Sequence, residues 1–171
     1  MYRSSGNRII SDIDNRIPYA YARIKGNSEH PSLYGDVSFF DTEHGVVILS
    51  EIYGLPSEDK KCTSRFFGFH IHKGESCNGN AEDEFADTLS HYDKNDCSHP
   101  SHEGDLPPLM SSDGYAFSAV LSKSFAAEDI IGKTVVIHLS ADDFTAQPSG
   151  NSGKKIACGE IRATARQVLT R

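Results

Sequence analysis

Seven short segments leave this chain few folds to choose from: 18–26 (PYAYARIKG), 33–42 (LYGDVSFFDT), 45–56 (GVVILSEIYGLP), 65–72 (RFFGFHIH), 115–122 (YAFSAVLS), 133–140 (KTVVIHLS) and 155–164 (KIACGEIRAT). They are rich in aromatic and β-branched residues and set off by Gly, Pro, Asn or Asp, a composition that suits a pleated, half-buried surface. No long 3.6-residue period competes with them. The one helix-like signal is a brief turn at 124–132. The expectation is therefore an all-β chain, an antiparallel sandwich or barrel. A polar arm at 1–16 precedes the domain expected over 17–165, and 166–171 reads as a short tail.

Two segments interrupt the rhythm of strands. Residues 73–113 are polar and rich in His, Asp, Gly and Pro, and residues 141–154 (ADDFTAQPSGNSGK) form a second such stretch. Loops of this length inside a compact domain are usually functional or disordered. The first is full of metal-ligand chemistry, which favours function. Of the eight histidines, five fall between His70 and His102.

Alternate residues of a strand point to one face, so His70 and His72 project together while Ile71 faces the opposite side, toward the expected core. An HxH pair alone is weak evidence, because two strand histidines are more often surface residues. The stretch SHYDKNDCSHPSHEGDLPPL (90–109) adds His91, His99, His102 and Asp105, and its H-x2-H-x2-D run lets three side chains converge in one turn. Imidazole and carboxylate together suit zinc or another borderline divalent ion. The competing reading is a solvated, loosely metal-binding loop. His138 lies in the apolar run VVIHL, where a lone histidine is more often a hydrogen-bonded core residue; beside two same-face histidines it becomes a further candidate ligand. His30 and His44 sit in polar turns and read as ordinary surface residues.

The net charge of −7 gives no footprint for nucleic acid or acidic lipid. No run approaches the ~18 apolar residues that span a bilayer. The opening MYRSSGNRIISDIDNRIPYAY has no apolar core of ~7–15 residues, so a cytoplasmic location is expected, with an extracytoplasmic one left open for a chain already trimmed of its signal. Cys62, Cys77, Cys97 and Cys158 show no CxxC spacing, which argues against a structural zinc finger. Two disulfides are open to them in an oxidising compartment, and reduced thiols are the default in the cytosol.

Taken together, GFHIH, HYD, the H-x2-H-x-G-D-L run of His99–Leu106, GKTVVIHLSADD and GNSGKKIACGEI resemble the copper-zinc superoxide dismutase family, in family order and over roughly residues 18–164. The resemblance implies a Greek-key β-sandwich, or flattened barrel, with two long functional loops. It implies copper held by His70, His72, His91 and His138, and zinc held by His91, His99, His102 and Asp105, with His91 shared. Asp142 matches the family aspartate that orients one histidine of each metal, here His70 and His99. Cys77 and Cys158 match its intrasubunit disulfide, whereas Cys62 and Cys97 have no family role. The implied reaction converts two superoxide anions into dioxygen and hydrogen peroxide, with His91 carrying a proton to the product.

One position departs from the pattern. Three residues before the last cysteine the family usually has a channel arginine, and this chain has Lys155. A lysine keeps the attraction for the anion but lacks the planar fork that docks it. The second loop is also shorter than in many family members, so weaker or rearranged steering is expected. Two alternatives stay open: iron or another metal at the four-histidine position, and a metal-binding or metal-delivery protein without turnover. A homodimer is a further expectation drawn from the family, with no motif here to carry it.

Overall fold

The computed structural model describes residue 13, residues 16–57 and residues 64–165. The arm expected at 1–16, apart from residues 13 and 16, the tail at 166–171 and Cys62 lie outside the described residues. Nine strands follow in order: β1 (Ala20–Gly26), β2 (Tyr34–Thr42), β3 (Gly45–Tyr53), β4 (Ser64–Phe67), β5 (Phe69–His72), β6 (Leu109–Ser112), β7 (Ala116–Ser122), β8 (Thr134–His138) and β9 (Lys155–Ala163). Seven pair in the order β5-β8-β9-β1-β2-β3-β7, and β4 pairs with β6; every pairing is antiparallel. The curled sheet and its short companion are the expected antiparallel sandwich or flattened barrel. No helix among the described residues is long and apolar enough to cross a membrane.

The strand alternation written in the sequence sets the core. Along β1, Ala20, Ala22 and Ile24 are buried while Arg23 and Lys25 are exposed. Phe39, Ile48, Ile52, Phe67, Phe69, Ile71, Val135, Ile137 and Ile161 join them in one cluster. Burying such side chains is worth ~1.5–3 kcal/mol each, which holds the sheet curled. Strands β5 and β8 are different, because every residue in both is buried. Their inner residues face the core, and the long loops cover their outer residues. That second, covered face is where His70 and His72 lie.

The structure corrects two readings of the sequence. The run 65–72 is two strands in two different sheets, divided at Gly68. Gly68 N–H donates to Ser140 O at 2.7 Å, and its carbonyl accepts from His138 N at 2.8 Å. A Cβ there would lie 2.7 Å from the Ser152 Cβ, so the close approach requires glycine. The region 73–113 is not wholly loop either, since it ends in β6 and contains a short 3-10 helix at Ala86–Thr88. The segment 124–132 consists of turns, as expected.

A candidate dinuclear metal centre

The β5–β8 register sets His70 opposite Val136 and His72 opposite Thr134. An isolated bridge pairs His72 with His91, and another pairs His70 with Asp105, stitching the first loop onto β5. His138 ends β8 at a register shift, which turns its ring toward His72. Two groups result. His70, His72, His91 and His138 offer ligand atoms that all lie within 4.8 Å of one another, and so do His91, His99, His102 and Asp105. Every histidine and acid expected at the site is present, and His91 belongs to both groups; His30 and His44 belong to neither.

The hydrogen bonds fix which nitrogen of each ring carries its proton, because a ring N–H must point at an acceptor. His70 Nε2–H donates to Asp142 Oδ2 at 2.7 Å, and His99 Nε2–H donates to Asp142 Oδ1 at 2.9 Å. His72 Nδ1–H donates to Leu89 O at 2.9 Å, and His138 Nδ1–H to Gly153 O at 3.1 Å. The opposite nitrogens are then bare lone pairs. His72 Nε2 and His138 Nε2 face each other at 3.2 Å with neither proton between them. His70 Nδ1, His91 Nε2 and His99 Nδ1 are buried without any hydrogen-bond partner. Buried polar atoms are almost always satisfied, so five converging lone pairs call for a cation. The residues present therefore fit metal.

The second group is built around Asp105. Its Oδ1 lies 2.7 Å from His91 Nδ1, and its Oδ2 accepts the His102 backbone N–H at 3.0 Å. Oδ2 also lies 3.1 Å from His99 Nδ1 and 3.1 Å from His102 Nδ1. His91 thus turns Nδ1 to the carboxylate group and leaves Nε2 for the four-histidine group. Gln147 steadies His99 from the second loop, accepting from its N–H at 3.1 Å and donating to its carbonyl at 2.7 Å. Gly150 has φ +66°, and a Cβ there would lie 2.0 Å from Asp142 Oδ1, so only glycine leaves this carboxylate its place.

Electrostatics keep the rings ready for metal. Burial and the neighbouring imidazoles push His70 down from 6.5 to about 2. Burial likewise takes His138 to about 4, against the raising effect of its bond to Gly153, and holds His72 well below its ordinary value. Burial would raise Asp105, but the His91 hydrogen bond and the surrounding imidazoles take it down to about 2. All these groups bind fewer protons folded than unfolded. The metal-free protein should therefore hold full stability above pH 6.5 and lose it as pH falls toward 4, by about 3 kcal/mol for His138 alone. Asp105 adds a further loss below its ordinary 3.8. Urea unfolding of the metal-free chain at pH 7 and pH 4 measures this, and equal midpoints would refute neutral burial of the rings.

A cleft of about 550 Å³ opens onto His72, His91, His102 and His138, with Lys73 and Lys155 on its walls. Lys155 does not offer a bare charge. Its Nζ donates to Asp83 Oδ2 at 2.8 Å and to Phe85 O at 3.0 Å. Cys77 and Cys158 form a disulfide that ties the first loop to β9, and Cys97 is an exposed free thiol. Sequence reasoning missed Leu89, Gly153, Gln147 and Asp83. Two of these act through backbone carbonyls, which leave no trace in side-chain identity.

The family model described as copper/zinc superoxide dismutase (SODC) matches residues 33–161. The chain is 32% identical over 140 residues to the Cu-Zn superoxide dismutase of Legionella pneumophila, covering 77% of this chain and 80% of that one. It is 34% identical over 134 residues to the Cu-Zn superoxide dismutase of Pasteurella multocida, covering 68% and 72%. Among solved structures, the Cu/Zn superoxide dismutase of Brucella abortus superposes with a TM-score of 0.69 at 23% identity, over 82% of this chain and 98% of that one, a likeness of fold.

Proposed function

The chain belongs to the copper/zinc superoxide dismutase family, and from that premise we propose how its own residues divide the work. The activity is the disproportionation of two superoxide anions and two protons into dioxygen and hydrogen peroxide, with copper and zinc as cofactors. In this proposal His70 Nδ1, His72 Nε2, His91 Nε2 and His138 Nε2 hold copper, while His91 Nδ1, His99 Nδ1, His102 Nδ1 and Asp105 hold zinc. The observation that carries the assignment is the set of lone pairs left bare by the bonds to Asp142, Leu89 and Gly153. The match to Cu-Zn superoxide dismutases favours copper and zinc with turnover over iron or a purely metal-delivering role.

Copper supplies the one-electron couple, and zinc, which does not change valence, supplies charge and rigidity. The protein's residues supply the remainder. Asp142 holds the His70 and His99 rings in one orientation through a single carboxylate, and such outer contacts typically govern metal affinity 10- to 100-fold. His91, fixed at Nδ1 beside Asp105, has Nε2 as the position that takes up a proton and hands it to the forming peroxide as general acid. The packed faces of β5 and β8 exclude water behind the rings, which strengthens the electrostatic interactions of the buried imidazoles.

Loading the purified chain with copper and zinc, with iron, or with zinc alone, and measuring metal content and superoxide consumption, tests the reading. Full metal content without consumption would overturn it.

Lys155 is the cation proposed to draw the anion into the cleft, with its charge offset by Asp83. Asp83→Asn should then raise kcat/KM about twofold at low ionic strength and steepen the salt dependence, as expected for one unit charge several ångströms from the path. An unchanged rate with an unchanged salt slope would remove Lys155 from the mechanism.

A further inference from the structure

On the outer face of β1 and β9, away from the histidines, lies a groove of about 470 Å³ lined by the Cys77–Cys158 disulfide together with Arg23, Lys25 and Arg162. Strand alternation explains the cations, since Arg23 and Lys25 occupy the exposed positions of β1 while Ala22 and Ile24 enter the core. Lys25 stands opposite Cys158 in the register, which sets an ammonium beside the bridge. On a chain of net charge −7 this is a local reversal of sign. Among the described residues no carboxylate lies within 4.0 Å of Arg23 or Lys25. Glu160 also lines the groove, pairing with Arg162 at 2.6 Å and accepting the Cys77 N–H at 3.4 Å through Oε1, so one carboxylate stands at the bridge against three cations. The Arg23 guanidinium also lies 5.9 Å from the Tyr21 ring centroid, which steadies it over the groove.

The disulfide is presented from one side. Cys158 is 2% exposed and packs with Phe85 and Val136, whereas Cys77 is half-buried and reaches the groove. Both cysteines line the groove, and Cys77 is the more exposed of the two.

We propose that this groove is a docking site for small anionic thiols, those carrying carboxylates, and that it directs their thiolates onto Cys77. The thiolate attacks Cys77 Sγ, a mixed disulfide forms there, and Cys158 leaves as thiolate. A second thiolate attacks the external sulfur of the mixed disulfide, releasing Cys77 as thiolate and the reagent as its own disulfide. Two thiols are oxidised and one protein disulfide is reduced, and the two cysteine thiolates take protons from water. Neither metal takes part.

Global and local charge predict opposite orders of reactivity, which makes the proposal testable. A chain of −7 acting as a uniform surface repels anionic thiols. Two or three cations within several ångströms of the target attract them, by roughly tenfold in rate at low salt. The experiment uses the copper- and zinc-loaded full chain under anaerobic conditions, with metal content followed by mass spectrometry. Loss of disulfide is read by acid quench, alkylation and mass, for mercaptosuccinate, 2-mercaptoethanol and cysteamine, each rate expressed per thiolate and corrected for thiol basicity. Mercaptosuccinate should react roughly tenfold faster than 2-mercaptoethanol, and cysteamine should react more slowly than either. The advantage should vanish in about 0.5 M salt and in Arg23→Glu/Lys25→Glu, and persist in Arg23→Lys/Lys25→Arg. The salt series on the unaltered protein decides the matter even if the charge-reversed variant folds poorly. Mercaptosuccinate no faster than the neutral thiol, or a preference that survives both salt and charge reversal, overturns the proposal.

Discussion

His91→Ala is expected to lower superoxide turnover of the copper- and zinc-loaded protein by more than ~100-fold, beyond the loss seen for contacts that only orient ligands. No other described residue belongs to both groups. Its two nitrogens face different neighbours, Nδ1 toward Asp105 at 2.7 Å and Nε2 into the four-histidine group without a partner. Alanine removes a proposed ligand from each group, the ring proposed to carry the proton, and its packing 4.0 Å, centroid to centroid, from His70. The fold should survive, because His91 is outside the main core cluster. Stopped-flow superoxide decay gives the rate. The visible spectrum of the copper-loaded variant, with and without zinc, shows whether one position still senses the other. A spectrum that responds to zinc as the unaltered protein does would rule out the bridging role.

Removing the disulfide with Cys77→Ser/Cys158→Ser should cost about 4–5 kcal/mol of stability, since the bridge closes a loop with a sequence separation of 81. The consequence extends beyond chain entropy. The bridge fastens the segment that carries Asp83, which pairs with Lys155, and Leu89, whose carbonyl holds the His72 ring. Loss of the bridge should thus lower metal retention as well as the unfolding midpoint. Guanidinium unfolding of the loaded variant, with metal content measured alongside, checks both effects. A loss below about 1 kcal/mol would mean that packing by Phe85 and Val136 suffices to hold the loop.

Much of the site was legible before the fold. The HxH pair, the H-x2-H-x2-D turn and His138 come together as their chemistry suggested, and Asp142 reaches both His70 and His99. Alternation also gave most strand positions, because a half-buried strand prints its inner face on the sequence. The split at Gly68 was hidden: RFFGFHIH reads as one run, and only the close approach of Ser152 shows why the chain breaks there. Strand β6 was hidden by its surroundings, since Leu109–Ser112 is short and closes a polar segment. The setting of Lys155 was hidden for another reason. A sequence names a charge but not its counter-charge, and Asp83 is 72 residues away.

Asp142 joins a sheet histidine 72 residues away to a loop histidine 43 residues away. Closing such spans costs chain entropy, and the sheet beneath the clamp joins residues farther apart still, Ala20 to Ala163. An open chain would offer its ligands in pairs and triplets, and such fragments take the most competitive ion at hand. Once Asp142 has clamped His70 and His99, the rings can no longer adapt to the visitor, and geometry selects instead of affinity. The selection of copper and zinc then rests on the closed arrangement of rings that this one carboxylate maintains.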